Sequence, residues 1–222
     1  MPHVRGFRSR AAVYIALSLT EMRSPLLWPS VSTPESERHA IQWLNAHLSA
    51  LTSSLDRWEA ALKLYEFAKS PVPGVPGAIS RQWRFIAATE CGFELHHLKK
   101  HIEKIRGVSL KKCPSILPFV DLVKVRSAAK RFHEFFPGAD SLRDAIAHSA
   151  EFDAHPEEHA PEGSFALSGF SEEDRYSVPF RGKLYYVDLT SKTLEQMRAV
   201  VVEFFAGFEP AARSLEAQGH IE

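Results

Sequence analysis

Eight apolar residues, Ile41, Leu44, Leu48, Leu51, Leu55, Trp58, Leu62 and Tyr65, follow one another in alternating steps of three and four. That spacing draws one stripe along a helix of 3.6 residues per turn, and a strand cannot accommodate it. A stripe this long must be covered by other helices, so a helical layer architecture is expected. Thr33-Pro34 is expected to open the helix, the hydroxyl capping it and the proline standing in its first turn. Ser70-Pro-Val-Pro-Gly-Val-Pro-Gly77 should end it, because three prolines and two glycines cannot continue a helix.

The same periodicity returns three times. Cys91, Leu95, Leu98, Ile102 and Ile105 mark a second helix, expected from about Ser80 to Ile105. Leu122, Val125, Ala129, Phe132 and Phe136 mark a third, from about Ser115 to Phe136, stopped by Pro137-Gly138. A fourth follows at once, with Ser141 and Asp144 at capping-box spacing and Asp140 as an alternative cap. Pro156 and Pro161 limit its reach.

The period then changes to two. Tyr176, Val178 and Phe180 alternate with polar positions, Arg181-Gly182-Lys183 can turn, and Leu184 to Leu189 is strand-like, so a β-hairpin is expected within about 164–190. Pro179 suggests an edge position. A last helix should start near Ser191, carrying Leu194, Met197, Val201, Phe204 and Phe208. The expected fold is mainly α: an up-and-down helical bundle with a small β-hairpin before the C-terminal helix. Residues 1–32 are read as a leader, a short helix at Ala11 to Leu19 or a poorly ordered segment, and 33–222 as one helical domain. The leader's Arg5, Arg8 and Arg10 before an apolar run faintly suggest a signal peptide, but Tyr14 and Ser18 interrupt the run and no clean cleavage site follows.

Of the 222 residues, 45% are apolar and 24% charged, ordinary globular values, and the net charge is zero. A polycationic nucleic-acid coat is thereby excluded. No run approaches the ~18 apolar residues of a membrane span. Charge is unevenly spread: Lys99 to Arg131 holds ten Lys/Arg against Glu103 and Asp121, while Glu134 to Asp174 holds eleven acids against Arg143. Such a distribution permits a local basic surface able to meet phosphate, or two solvated faces that partly neutralise each other. Cys91 and Cys113 form no CxxC pair or disulfide framework, which points to a reducing cytoplasm, and Cys91 lies on an apolar seam.

Arg143-Asp-Ala-Ile-Ala-His148, at the expected start of the fourth helix, is the segment that can carry chemistry. Arginine offers a fork of donors that fits phosphate oxygens, and histidine transfers protons near neutral pH. Five positions rotate the two side chains by about 140°, so one helix alone does not aim them at a common point. The segment resembles the Arg-x4–6-His motif of the HEPN superfamily, with Asp144 where a polar residue, commonly Asn, follows the arginine. The resemblance covers these few residues in sequence and about 34–150 in architecture. It implies a metal-independent endoribonuclease in which the RNA 2′-hydroxyl is the nucleophile, His148 handles protons, Arg143 stabilises phosphate and Asp144 orients one of them. It also implies a homodimer with a composite cleft and no cofactor. A toxin, phage-defence or stress setting with an antitoxin or other protein partner follows from the same resemblance. The alternative is a non-catalytic HEPN-like dimerisation or partner-binding protein, in which the motif maintains packing.

Other constellations are weaker. Glu90, Glu94, His97 and His101 share a face of the second helix, and Glu94-x-x-His97 has the spacing of a di-iron ligand pair. No second such pair stands in a helical segment, so a solvated flank is expected instead. His47 and His101 would suit a three-histidine metal bundle of the DinB type, but the remaining histidines offer too many combinations to choose from. His148, His155 and His159 cluster around an acidic, proline-containing loop. Trp43, Trp58, Trp83 and Phe85 are read as core rather than as a base-stacking platform.

Overall fold

The structure, a computed structural model, describes residues 22–30, 32–71, 73–149, 154–162, 168–170 and 173–219. The expected leader helix at Ala11 to Leu19 lies outside the described residues. Helix α1 spans Glu35–Lys69 and α2 spans Gly77–Lys104. All eight stripe residues of α1 are buried, as are Cys91, Leu95, Leu98 and Ile102 of α2. His47 meets His101, Arg57 meets Glu94 and the Trp58 carbonyl meets the Cys91 thiol, so position falls on one helix as it rises on the other. The two therefore form an antiparallel hairpin. Thr33 does not cap α1: Pro34 holds the cap position without a side-chain bond.

After α2 the chain makes one wide π turn at Ile105–Ser109 and a 3-10 turn at Leu110–Lys112. The third helix, α3, spans Leu122–Phe135 and starts at the first residue of its apolar pattern, later than the expected start near Ser115. Buried Glu37 takes the Ser115 N–H and hydroxyl at 2.7 and 2.6 Å, and Val120 is extended. The Asp121 carboxylate then accepts from the N–H groups of Val123 and Lys124 and so caps the helix at Leu122.

Helix α4 spans Ala139–Ala147 and lies on α2. Gly92 permits the approach, because a Cβ there would collide with the Ile146 Cδ1. The expected capping box is not formed: Gly138 is the cap, and Ser141 and Asp144 are inside the helix. Asp140 sits in the first turn and pairs with Lys99 instead.

A small antiparallel sheet follows, in the order β1 (Gly169–Phe170), β2 (Arg175–Phe180), β3 (Lys183–Asp188). Arg181 and Gly182 turn the β2–β3 hairpin at φ 51° and 71°, the left-handed pair that a two-residue hairpin loop needs. Pro179 lies in the middle strand, not on an edge strand. Among the described residues, β1 pairs with Ser177 and Tyr176, and Pro179 stands opposite Leu184 of β3.

The last segment is two helices, α5 (Ser191–Ala206) and α6 (Glu209–Gly219), where one was expected. Thr190 caps α5. At the break, the Gly207 carbonyl accepts the Asp121 N–H at 2.8 Å, which docks the end of α5 on the start of α3. Side chains from α1–α6 and the sheet share one buried apolar cluster. The protein is mainly α with a small sheet before its C-terminal helices. Among the described residues, no helix is long and apolar enough to cross a membrane.

Candidate functional site

Arg143 and His148 occupy the middle and the end of α4, not its first turns. His148 is the C-terminal cap, its N–H bonded to the Asp144 carbonyl at 3.0 Å. The positive end of the helix dipole is therefore at Gly138, away from His148. Arg143 is half-exposed and its Nη1 donates to Asp144 Oδ1 at 3.0 Å. The adjacent carboxylate thus anchors the guanidinium. The His148 ring lies nearly parallel to Phe180 of β2, centroids 5.5 Å apart.

Phe180 also stacks with His159, at 5.5 Å. His159 accepts the Arg181 N–H on Nδ1, and its carbonyl accepts the Gly182 N–H at 3.2 Å. The His148 and His159 part of the suspected histidine cluster therefore clasps the hairpin turn, and His155 is exposed.

His96 is a neighbour of the motif that sequence reasoning missed. It lies 3.2 Å from Asp140, which also holds Lys99 and Lys100. Burial lowers the His96 pKa, and the charges of Lys100 and Arg143 add to the effect, so the ring is biased toward its neutral form. The Asp140 carboxyl is pushed up by burial, but Lys99 and Lys100 hold it below its ordinary value. The motif thus stands beside a histidine and lysines supplied by α2. Its sequence signal is faint, because His96 carries no spacing relation to Arg143 and only α2–α4 packing joins them.

Glu94 corrects the solvated-flank reading. Its side chain is 2% exposed and takes Arg57 through two bonds, at 2.6 and 3.1 Å, with His97 Nδ1 at 3.2 Å. It fastens α2 to α1. Among the described residues, no three His, Cys, Asp or Glu side chains are grouped to hold a metal ion.

His47 and His101 do meet, Nδ1 to Nδ1 at 3.2 Å. One ring must donate and the other accept, which leaves no place for a proton on both facing nitrogens. Burial lowers both pKa values, assisted by Lys104 at His47 and by His47 and His97 at His101. Glu94 opposes the shift at His101, and Arg57 adds to it. Because the folded values are depressed, the pair's contribution is complete above the unfolded value of 6.5. It declines as pH falls through the folded values. The melting temperature should therefore drop between about pH 7 and pH 5, and the drop should be smaller in His47→Asn. An identical drop in both proteins would remove the pair as its source.

A cleft of about 260 Å³ lies between α2, the α3–α4 turn, β3 and α5, walled by Leu95, Phe136, Leu142 and Tyr185. Arg143 and His148 are not among its walls. Both cysteines are buried and free, and burial pushes the Cys113 thiol up to about 11, so neither is an activated nucleophile. No family model, curated protein or solved structure matches the chain.

Proposed function

We propose that this protein is a HEPN-like, metal-independent endoribonuclease that acts in the cytoplasm as a homodimer, with Arg143 and His148 from two copies facing one cleft. The observation that supports it best is the arrangement on α4. A half-exposed arginine steered by Asp144 shares a nine-residue helix with a half-buried histidine at its end. In this reading the RNA 2′-hydroxyl gives its proton to a histidine and attacks the adjacent phosphorus. The 5′-oxygen leaves with a proton, producing a 2′,3′-cyclic phosphate and a free 5′-hydroxyl. Arg143 stabilises the negative charge that grows on the phosphoryl oxygens. Asp144 keeps its planar fork oriented, and Lys99 and Lys100 add positive field nearby.

A second reading has its own support. His148 stacks on Phe180 beside His159, and this contact fastens the hairpin to α4. On that reading the motif maintains packing in a non-catalytic dimer or partner-binding protein.

The purified protein, incubated with structured RNA in the presence of a chelator, separates the two. Cleavage is expected in the wild type and should fall by roughly 100-fold or more in His148→Ala. Arg143→Ala should fall comparably while keeping its melting temperature. Equal background cleavage by wild type and variants, with a lowered melting temperature for His148→Ala, would establish the packing role instead.

A further inference from the structure

Trp43 is one of the aromatic residues expected in the core, yet its side chain is 68% exposed. It stands at the centre of a strip on α1, with His39 four residues before and His47 four residues after. The strip is one wall of a groove of about 530 Å³. Lys104, Val108, Ser109 and Lys112 from the end of α2 and the turns after it form the other wall. The π turn makes this possible, since its wider coil carries the chain from Lys104 to Ser109 alongside α1. Among the described residues, the groove walls contain two lysines, two histidines and a tryptophan, but no carboxylate. Glu35 reaches His39 at 3.2 Å from the previous turn of α1.

A second depression, of about 420 Å³, shares His47, Lys104 and Val108 with the first and adds Lys100, His101 and Glu103. Its Glu103 is paired with Lys100 at 3.2 Å and Lys99 at 3.6 Å. A continuous trough therefore runs from Lys112 past Trp43 to Lys100. Of the two readings of the basic stretch, the structure gathers Lys100, Lys104 and Lys112 onto one side of this trough.

We infer that the trough binds single-stranded nucleic acid, with a base stacked on Trp43 and phosphates on Lys104 and Lys112, while Lys100 at its far end is paired with Glu103 and Asp140. An exposed indole between lysines matches a nucleotide on both counts, a flat π face and an anion beside it. A duplex does not fit, because its base faces are already stacked on one another. From His39 to His47, α1 rises about 12 Å, the length of a few nucleotides. The site is built on Trp43, Lys104 and Lys112, whereas α4 packs on α2 around Gly92 to Lys100. It therefore goes beyond the nuclease proposal and stands without it.

Anisotropy of a fluorescein-labelled twelve-nucleotide oligo-uridine tests the site directly. The wild type should bind it more tightly than a twelve-base-pair RNA duplex. Trp43→Ala should weaken binding about tenfold, and Trp43→Phe should keep most of it. The pair Lys104→Gln and Lys112→Gln should flatten the log–log salt dependence by roughly 1.4. His148→Ala, which tests the nuclease reading, should bind like the wild type. Three results would each overturn the inference: no binding at low salt, unchanged binding by Trp43→Ala, or equal binding of the duplex or of poly-glutamate.

Discussion

Arg57→Ala should destabilise the protein by about 3 kcal/mol at neutral pH, because it strands a buried carboxylate. Glu94 is 2% exposed, while Arg57, its partner from α1, is half-exposed. Burial pushes the Glu94 carboxyl up, but Arg57 above all, with Ser54 and His97, holds it below its ordinary value of 4.5. A depressed folded value means that the contribution is complete above the unfolded value and is lost as pH falls through the folded one. Without Arg57, burial dominates and the folded value rises above the unfolded one. The sign then reverses, and the variant is penalised as pH rises past about 4.5, where the unfolded chain releases the proton more readily. Urea denaturation at pH 7 and pH 5 measures this. The gap between wild type and variant should be clearly larger at pH 7. An equal gap at the two values would mean that Arg57 contributes packing rather than charge.

Gly207→Ala should cost about 2 kcal/mol by overpacking. A Cβ at this position would lie 2.6 Å from Val125 Cγ2 and 3.1 Å from the Asp121 carbonyl oxygen. Val125 is buried and branched at Cβ, so it cannot swing its methyl away freely. The Asp121 N–H is bonded to the Gly207 carbonyl, so moving the backbone apart also breaks the contact that docks α5 on α3. Val125→Ala removes the first obstacle. In a double-mutant cycle the two substitutions should couple favourably by about 1 kcal/mol. Simple additivity would place the strain at the Asp121 carbonyl instead.

The effects differ in how they were foreshadowed by the chain. The α1 stripe and the α2 seam were legible because helical burial repeats every 3.6 residues and each residue reports its own face. The Arg181-Gly182 turn was legible because few residues adopt its backbone. The start of α4 was not, since Asp140 is as good a cap as any until Lys99 takes its carboxylate. The start of α3 was displaced for a similar reason, with Glu37, 78 positions away from Ser115, holding the segment before it.

The candidate sites divide in the same way. Arg143, Asp144 and His148 are neighbours along the chain, so they were visible as a motif. Asp144 holds Arg143 from within the motif, but Phe180, which stacks on the His148 ring, and His96, which feels the charge of Arg143, come from other elements. The sequence by itself determined the helices, the hairpin and the chemistry available on α4, all properties of local spacing. Tertiary structure alone decided that Trp43 stays exposed, that Glu94 is buried on Arg57 and that His47 touches His101. Those outcomes depend on which side of a helix its neighbours cover. Local spacing ranks the faces of a helix by apolarity but does not say where a covered face ends.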